Sequence, residues 1–235
     1  MGVAVKLHPN IKILAIIPAY NEATHIETIV EKTQQYVDQV VVIDDGSTDG
    51  TGVIAEAAGA AVVVHECNWG KGAAIRSAFQ IARSISPEAV VLLDGDGQHD
   101  PQEIPLLLEP VLGGKADMVV GSRFLRGNHI PRYRRLGLTV LTLTTNIGSG
   151  ISITDTQSGF RSFSARAIEG MGLREQGFAV ESEMQFRAGR LKLRVVEVPI
   201  GANYDDRAKR SPVIHGFGVL FKVLNLILRN CFARY

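Results

Sequence analysis

Five apolar runs alternate with helical segments in the first half of this chain of 235 residues, and each run ends in polar residues. The runs cover residues 11–17, 40–43, 61–64, 89–93 and 117–120. Nearly continuous apolar strands are buried on both faces, and their alternation with helices predicts a mostly parallel sheet flanked by helices. Ligands of such sheets bind beyond the carboxyl ends of the strands. The expected fold class is therefore α/β, with a site along one rim.

Polar side chains at the strand ends would share this rim: Tyr20, Glu22, Asp44, Asp45, Asp94, Asp96 and Arg123. Asp94 and Asp96 are the most informative pair, because alternate residues of a strand point the same way. Two carboxylates beside glycines suit Mg²⁺ or Mn²⁺, which takes its other ligands from water and substrate phosphates. A simple turn is the alternative, since Asp-Gly pairs are common turn formers.

Helices are expected between the strands. The first covers residues 22–37, and Ser47 or Thr48 can cap the second. The third opens within residues 68–72, where Lys71 lies between two glycines and free backbone N–H groups could face an anion. A plain turn is the alternative there, because the spacing of a phosphate-binding P-loop is absent.

Composition narrows the function classes. Hydrophobic content of 46% and charged content of 21% are typical of a globular protein, and a net charge of +1 gives no case for nucleic acid. Two distant cysteines predict neither a disulfide framework nor zinc. Residues 1–120 carry 7 Lys+Arg against 16 Asp+Glu, whereas residues 121–235 carry 18 against 8. The basic half could contact phosphates or an anionic membrane surface, with chance clustering as the alternative.

Residues 212–235 predict an amphipathic helix, with an apolar run shorter than the roughly 18 residues of a membrane span. Such a helix either packs on its own domain or lies in a membrane interface. The N-terminus lacks a basic-then-apolar signal pattern, so we expect a cytoplasmic protein, peripheral on the cytoplasmic face of the membrane.

Motifs at residues 18–22, 42–51, 68–72, 94–98, 121–123 and 155–161 follow one another in an order that resembles family 2 glycosyltransferases of the GT-A fold. The last two resemble the branch containing dolichol-phosphate mannose synthase and bacterial polyprenyl-phosphate glycosyltransferases. The resemblance implies a Rossmann-like GT-A domain over residues 1–211, with a nucleotide and metal half (1–120) and an acceptor half (121–211). Residues 212–235 would follow it as the amphipathic helix.

The resemblance also implies an activity. It is the inverting, metal-dependent transfer of mannose or glucose from a nucleotide-diphosphate sugar, GDP-mannose or UDP-glucose, to a polyprenyl phosphate. The cofactor would be Mg²⁺ or Mn²⁺. The expected partners are the donor, the lipid phosphate, a membrane surface and possibly a membrane protein, with no nucleic acid.

The roles implied by the resemblance fall into four sets. The nucleotide-binding residues are Pro18, Tyr20, Glu22, Asp44, Asp45, Lys71 and Asp94. The metal ligands are Asp94, Asp96 and Gln98. The acceptor-phosphate residues are Arg123, Arg135, Arg207 and Ser211, and the catalytic residues are Asp96, Arg123 and Arg207. The segment 207–212 departs from the branch pattern, because it lacks the glycine often found there and proline follows the serine.

Three other functions stay open at this point. A glycosyltransferase acting on a saccharide or protein hydroxyl would need a base, for which Glu183 is the candidate. A sugar nucleotidyltransferase would normally carry a glycine-rich basic loop after the first strand, where this chain has Pro-Ala-Tyr-Asn-Glu. A non-catalytic binding module could keep the same fold.

Overall fold

The structure is a computed structural model that describes residues 10–127, 132–175, 177 and 179–201, with backbone alone for residues 132–136. Its strands form one seven-stranded sheet in the order β3-β2-β1-β4-β6-β5-β7. The strands are β1 Ile13–Ala19, β2 Gln39–Asp44, β3 Ala61–Val64, β4 Ala89–Leu92, β5 Met118–Ser122, β6 Arg161–Ser164 and β7 Val195–Pro199. The sequence therefore predicted the first five strands to within a few residues.

Strand β6 gives the sheet its mixed character. It pairs antiparallel with β4 on one side and with β5 on the other, while the remaining pairs are parallel. The amino end of β6 therefore lies at the same edge as the carboxyl ends of its neighbours. Residues 155–160, which precede β6, are carried to the rim where the strand-end carboxylates lie.

Helices cover both faces of the sheet. They are α1 Ile26–Thr33, α2 Thr51–Ala57, α3 Lys71–Ile85, α4 Ile104–Leu112, α5 Arg132–Ser149, α6 Ala165–Gly170 and α7 Val180–Arg190, with a 3-10 turn at Pro101–Glu103. Adjacent residues of β1 point to opposite cores: Leu14 packs with Phe79 and Phe163, whereas Ala15 packs with Leu107 on the other face. Burying one such side chain contributes about 1.5–3 kcal/mol, which explains why these strands are apolar throughout.

Two local predictions were wrong. Helix α1 is shorter than the expected 22–37. Residues 22–25 form a turn before it, in which the Glu22 carbonyl accepts hydrogen bonds from the backbone N–H groups of His25 and Ile26. Helix α2 has Gly50 at its N-cap, without a side-chain cap. Ser47 and Thr48 bond instead to Asn21 in the neighbouring loop, so they join two loops rather than cap a helix.

The predicted α/β architecture, a mostly parallel sheet flanked by helices, is confirmed. Of the helices in the described part of the chain, none is both long enough and apolar enough to cross a bilayer. The predicted amphipathic helix at 212–235 and the domain boundary at 211 lie outside the described residues.

Candidate active site

Asp96 and Gln98 meet at the carboxyl end of β4. The carboxylate of Asp96 accepts one hydrogen bond from the Gln98 backbone N–H at 3.1 Å and another from its side-chain Nε2 at 2.6 Å. Both residues are partly exposed. Gly97 between them has φ +78°, a left-handed conformation that favours glycine. Two of the three predicted metal ligands are thus in contact at the rim of the sheet.

Asp94, the third predicted ligand, packs against the turn that precedes β6. A Cβ at Gly159 would lie 2.8 Å from the Asp94 Cγ, so position 159 has no room for a side chain. The carboxylate of Asp94 therefore rests against backbone supplied by the second half of the chain. The acidic and basic halves of the sequence meet at this contact.

Lys71 joins Asp94 to Glu181. Its Nζ lies 2.6 Å from Asp94 Oδ1 and 2.7 Å from Glu181 Oε1, and its side chain is 13% exposed. Burial alone would lower the pKa of Lys71, but the two carboxylates raise it above its ordinary value. Burial likewise raises the pKa of Asp94, yet Lys71, and then His99, bring it below its ordinary value. The site therefore holds ionised groups at neutral pH.

The loops after β1 and β2 are held together by hydrogen bonds. The Asn21 N–H donates to Ser47 Oγ at 2.9 Å, and the Thr48 N–H donates to Asn21 Oδ1 at 2.9 Å. The Glu22 N–H donates to Thr51 Oγ1 at 2.8 Å. These bonds fix the two loops as one wall of the site, and the loops carry three of the predicted nucleotide-binding residues, Tyr20, Glu22 and Asp45.

Side chains of the predicted nucleotide set differ in exposure within this wall. Pro18 lies inside β1, and Tyr20 just beyond the strand is 39% exposed. Asp44 ends β2, is 4% exposed and accepts the Ser47 N–H at 2.9 Å. Tyr20 is thus partly open to solvent, whereas Asp44 is buried and stabilises its own turn.

Asp45 is used inside the protein. Its carboxylate accepts backbone N–H groups of Trp69 at 3.1 Å and Gly70 at 2.7 Å. It also lies 2.7 Å from His65 Nδ1, whose Nε2 lies 2.9 Å from Ser77 Oγ. The structure thus gives Asp45 a supporting role: it anchors the loop that leads to Lys71. Its predicted contact with the nucleotide stays a prediction.

Arg123 is buried against Asp155. Its Nε and Nη2 donate to the two carboxylate oxygens at 2.7 and 2.8 Å, and Asp155 is fully buried. The Asp155 backbone N–H in turn donates to Glu197 of β7 at 3.1 Å. This bidentate pair orients the guanidinium. The described arrangement does not present Arg123 as an open phosphate site, so its predicted acceptor role stays a prediction.

Other predicted acceptor residues cannot be placed. The side chain of Arg135, in the first turns of α5, and the whole of Arg207 and Ser211 lie outside the described residues. The segment 207–212, where the sequence departs from the branch pattern, lies outside them as well.

Sequence reasoning missed Arg161 as a structural centre. It is fully buried and donates to the backbone carbonyls of Thr156 at 2.7 Å, Ser158 at 2.9 Å and Glu181 at 3.1 Å. A buried guanidinium needs such acceptors to offset its desolvation. Arg161 therefore fixes the turn before β6 to the first turn of α7.

His99 and Glu181 are two further site residues without a predicted role. His99 stacks on Phe160 with ring centroids 5.2 Å apart, and burial lowers its pKa to about 4, so the ring is neutral at physiological pH. Glu181 faces Lys71, whereas Glu183 binds the backbone N–H groups of Arg174 and Glu175. Glu181 could have been suspected as an acidic residue that follows an apolar stretch, whereas His99 lies in a polar turn that gives no such signal. The sequence shows the partner of neither residue.

The residues at the rim fit a divalent cation. Asp96 offers carboxylate oxygens and Gln98 an amide oxygen, both hard donors of the kind that Mg²⁺ and Mn²⁺ bind. The Lys71 ammonium contacts Asp94, which shows that this carboxylate is placed to pair with a cation. Across the residues that the structure describes, no three His, Cys, Asp or Glu side chains cluster as a metal site. Mg²⁺ is typically held by one or two carboxylates together with substrate phosphates.

Solved structures identify the class of fold. Glucosyl-3-phosphoglycerate synthase from Mycobacterium tuberculosis, in complex with Mn²⁺, UDP-glucose and phosphoglyceric acid, matches with a TM-score of 0.73 at 23% identity. The match covers 94% of this chain and 80% of that one. The architecture is therefore that of GT-A glycosyltransferases.

The sequence places the chain within that class. The model of the glycosyl transferase family 2 matches residues 14–172, so the chain belongs to that family and is a glycosyltransferase. A dolichyl-phosphate N-acetylglucosaminyltransferase of Methanococcus voltae is 30% identical over 91% of this chain and 95% of its own. An undecaprenyl-phosphate mannosyltransferase of Micrococcus luteus is 34% identical over 80% of this chain and 82% of its own.

Proposed function

We propose that this glycosyltransferase moves a sugar, mannose or glucose, from a nucleotide-diphosphate sugar to a polyprenyl phosphate, with Mg²⁺ or Mn²⁺ and with inversion at the anomeric carbon. The observation that carries the proposal is the group of Asp94, Asp96, Gln98 and Lys71 at one edge of the sheet. It matches what a diphosphate leaving group requires. The lipid acceptor is supported by the two relatives described above, a dolichyl-phosphate and an undecaprenyl-phosphate glycosyltransferase.

The donor would lie along the wall formed by the loops after β1 and β2. Tyr20 offers an aromatic face to the base, and Glu22 and Asp44 offer oxygens. A divalent ion held by Asp94, Asp96 and Gln98 would neutralise charge on the departing diphosphate as a Lewis acid. Lys71 supplies a further positive charge at this edge of the sheet. We therefore keep Asp45 and Lys71 in the proposed nucleotide site, Asp45 through the loop that it anchors.

A phosphate acceptor explains the chemistry without a base. The second pKa of a phosphate monoester is near ~6, so its oxygen is already anionic at neutral pH. That oxygen would form a bond to the anomeric carbon from the face opposite the diphosphate, which leaves with the electrons of the broken carbon–oxygen bond. Cationic side chains would orient the acceptor, for which Arg123, Arg135, Arg207 and Ser211 stay our proposed set.

The alternative with a hydroxyl acceptor is less well supported. It needs a base, and Glu183 is committed to two backbone N–H groups at 2.8–3.0 Å and is 3% exposed. A carboxylate that satisfies buried donors is a poor proton acceptor, because withdrawing it would leave those donors unpaired. The observed role of Glu183 is to hold the segment at Arg174 and Glu175.

A lipid acceptor requires access to a membrane surface. Helix α5 exposes three apolar side chains one helical turn apart: Val140 is 43% exposed, Leu143 60% and Ile147 74%. Its first turn carries Arg132, Arg134 and Arg135 in sequence. An apolar stripe next to basic residues suits the interface of an anionic membrane. We propose peripheral attachment on the cytoplasmic face, with the helix predicted at 212–235 as a second contact.

A direct assay tests the proposed function. The full chain would receive a panel of labelled nucleotide sugars (GDP-mannose, UDP-glucose and UDP-N-acetylglucosamine), undecaprenyl phosphate and Mn²⁺, with label in the lipid extract as the readout. We expect lipid-linked label from one donor and none without the divalent ion. Transfer to free saccharides in the absence of lipid phosphate would contradict the proposal.

Asp96→Asn probes the metal role. The substitution replaces one carboxylate oxygen by an amide NH₂ group and removes the negative charge. We therefore expect sugar transfer to fall by about 10²-fold or more, in line with loss of a group that stabilises charge in the transition state. Asp100→Asn is the matched control: Asp100 lies four residues along the same loop and caps the 3-10 turn through its Oδ1, which asparagine preserves. Equal activity of the two variants would remove Asp96 from the site.

A further inference from the structure

Lys71 contacts two carboxylates that belong to different parts of the fold. Asp94 follows β4 and is one of the proposed metal ligands, whereas Glu181 lies in the first turn of α7 and is not. The ammonium lies 2.6 Å from one and 2.7 Å from the other. All three side chains are largely buried, with exposures of 13% for Lys71, 22% for Asp94 and 4% for Glu181.

Glu181 is firmly positioned for this contact. Its backbone carbonyl accepts a hydrogen bond from Arg161, which also binds Thr156 and Ser158 in the turn before β6. Gly159, in the same turn, packs on Asp94. The two carboxylates that share Lys71 are therefore both held by contacts to the turn before β6.

We infer that Lys71 is an exchangeable counter-ion. In the donor-free protein its ammonium neutralises Asp94, and when a divalent cation binds at Asp94 and Asp96 the ammonium is retained by Glu181 alone. Glu181 is then a positioning residue that keeps Lys71 in the site after Asp94 has exchanged partners. The inference rests on the proposed function, because it requires the cation at this edge of the sheet.

The physical reason is the cost of an unpaired buried charge. A divalent ion and an ammonium repel each other when they share one carboxylate, so one of them must yield. Lys71 can yield because Glu181 still pairs with it, which avoids leaving its charge buried and alone. Without Glu181, Lys71 would hold Asp94 more strongly and compete with the metal.

Binding of Mn²⁺ alone, followed by the electron paramagnetic resonance signal of the free ion, tests the inference without catalysis. We expect Glu181→Gln to weaken Mn²⁺ binding by about tenfold and Lys71→Met to strengthen it by about tenfold. In the Lys71→Met background, Glu181→Gln should have no effect, because the lysine it retains is gone. If the two effects simply add, Glu181 acts only as a nearby charge and the inference is wrong.

Glu183→Gln is the matched control. Glu183 lies in the same turn of α7 and is buried like Glu181, but its carboxylate holds backbone N–H groups rather than Lys71. We expect its Mn²⁺ affinity to equal that of the wild type, and an equal loss in both variants would overturn the inference. Because this comparison does not need Lys71→Met to fold, it stands on its own.

The same titration separates the inference from the proposed function. If the wild-type chain binds no Mn²⁺, the proposed metal site is wrong, and the inferred exchange of the Lys71 ammonium is wrong as well. If the wild type binds Mn²⁺ and Glu181→Gln binds it equally well, the metal site stands and only the inference is wrong.

Discussion

Gly159 shows how one missing side chain defines the site. The turn before β6 approaches Asp94 so closely that only a hydrogen atom fits at position 159. The position therefore couples the turn before β6, in the second half of the chain, to the Asp94 carboxylate in the first half. Its contribution is spatial: it decides where Asp94 lies, without taking part in the chemistry.

Gly159→Ala should displace Asp94 or the turn. We expect a fall in transfer of about tenfold or more and a loss of about 1–3 kcal/mol in the free energy of unfolding, the usual cost of overpacking a buried contact. Activity assays and urea unfolding measure the two effects. Gly172→Ala is the control, because a Cβ there meets nothing within 4 Å. Similar losses at both positions would show that the effect comes from removing a glycine rather than from the contact with Asp94.

Single residues also mark the limit of sequence reasoning. The position of Asp94 and Asp96 at the rim could be predicted, because both directly follow a buried strand. Their role as metal ligands, and that of Gln98, stays a prediction. Glu181 could not be assigned to Lys71, nor Asp155 to Arg123, because each pair joins segments far apart in the chain. Only the packing of the folded protein determines such partners.

At the scale of elements, α5 combines two surfaces. One side binds the rest of the domain through Thr145, which lies 3.2 Å from Ser182 of α7, and through Asn146, which donates to the Ile153 carbonyl at 2.8 Å. The other side exposes Val140, Leu143 and Ile147. The helix is therefore anchored by polar contacts while its apolar stripe faces outward.

Ile147→Glu should weaken binding to anionic liposomes. The stripe would lose an apolar side chain and gain a negative charge at the proposed interface, so we expect affinity to fall by about tenfold or more, measured by co-sedimentation. Val53→Glu on α2 is a matched control, because Val53 is also 74% exposed. If both variants lose binding equally, net charge rather than the α5 stripe governs attachment.

The order of strands and helices shows which parts of the fold the sequence pattern could predict. Alternating strands and helices predicted the parallel part of the sheet, to which the antiparallel strand β6 is the exception. The place of that strand was not predictable, because antiparallel insertion between β4 and β5 depends on the return path of the chain rather than on local sequence.

At the scale of the whole molecule, His99 links stability to pH. Its pKa falls from 6.5 to about 4 in the folded state, chiefly because of burial. As the pH drops through this range the unfolded chain takes up a proton that the folded chain resists, so the free energy of unfolding decreases. The loss attributable to His99 is up to about 3 kcal/mol.

Urea unfolding of the metal-free protein between about pH 7 and about pH 5 measures this effect. His99→Gln should flatten the dependence of stability on pH relative to the wild type, because the buried titrating group is removed. His25→Gln, a change at a partly exposed histidine of the same chain, should retain the wild-type slope. An unchanged slope in His99→Gln would mean that another group accounts for the decrease.

Strand β6 is the only neighbour that β4 and β5 share within the described sheet. A polypeptide severed after β5 would leave β4 with one unpaired edge and β5 with neither of its partner strands. It would also remove the backbone at Gly159 that packs against Asp94. Residues 10–122 consequently cannot complete the sheet by themselves. The sheet around Asp94 is complete only when β6 has inserted between β4 and β5, so the proposed site would form in the same step as the sheet.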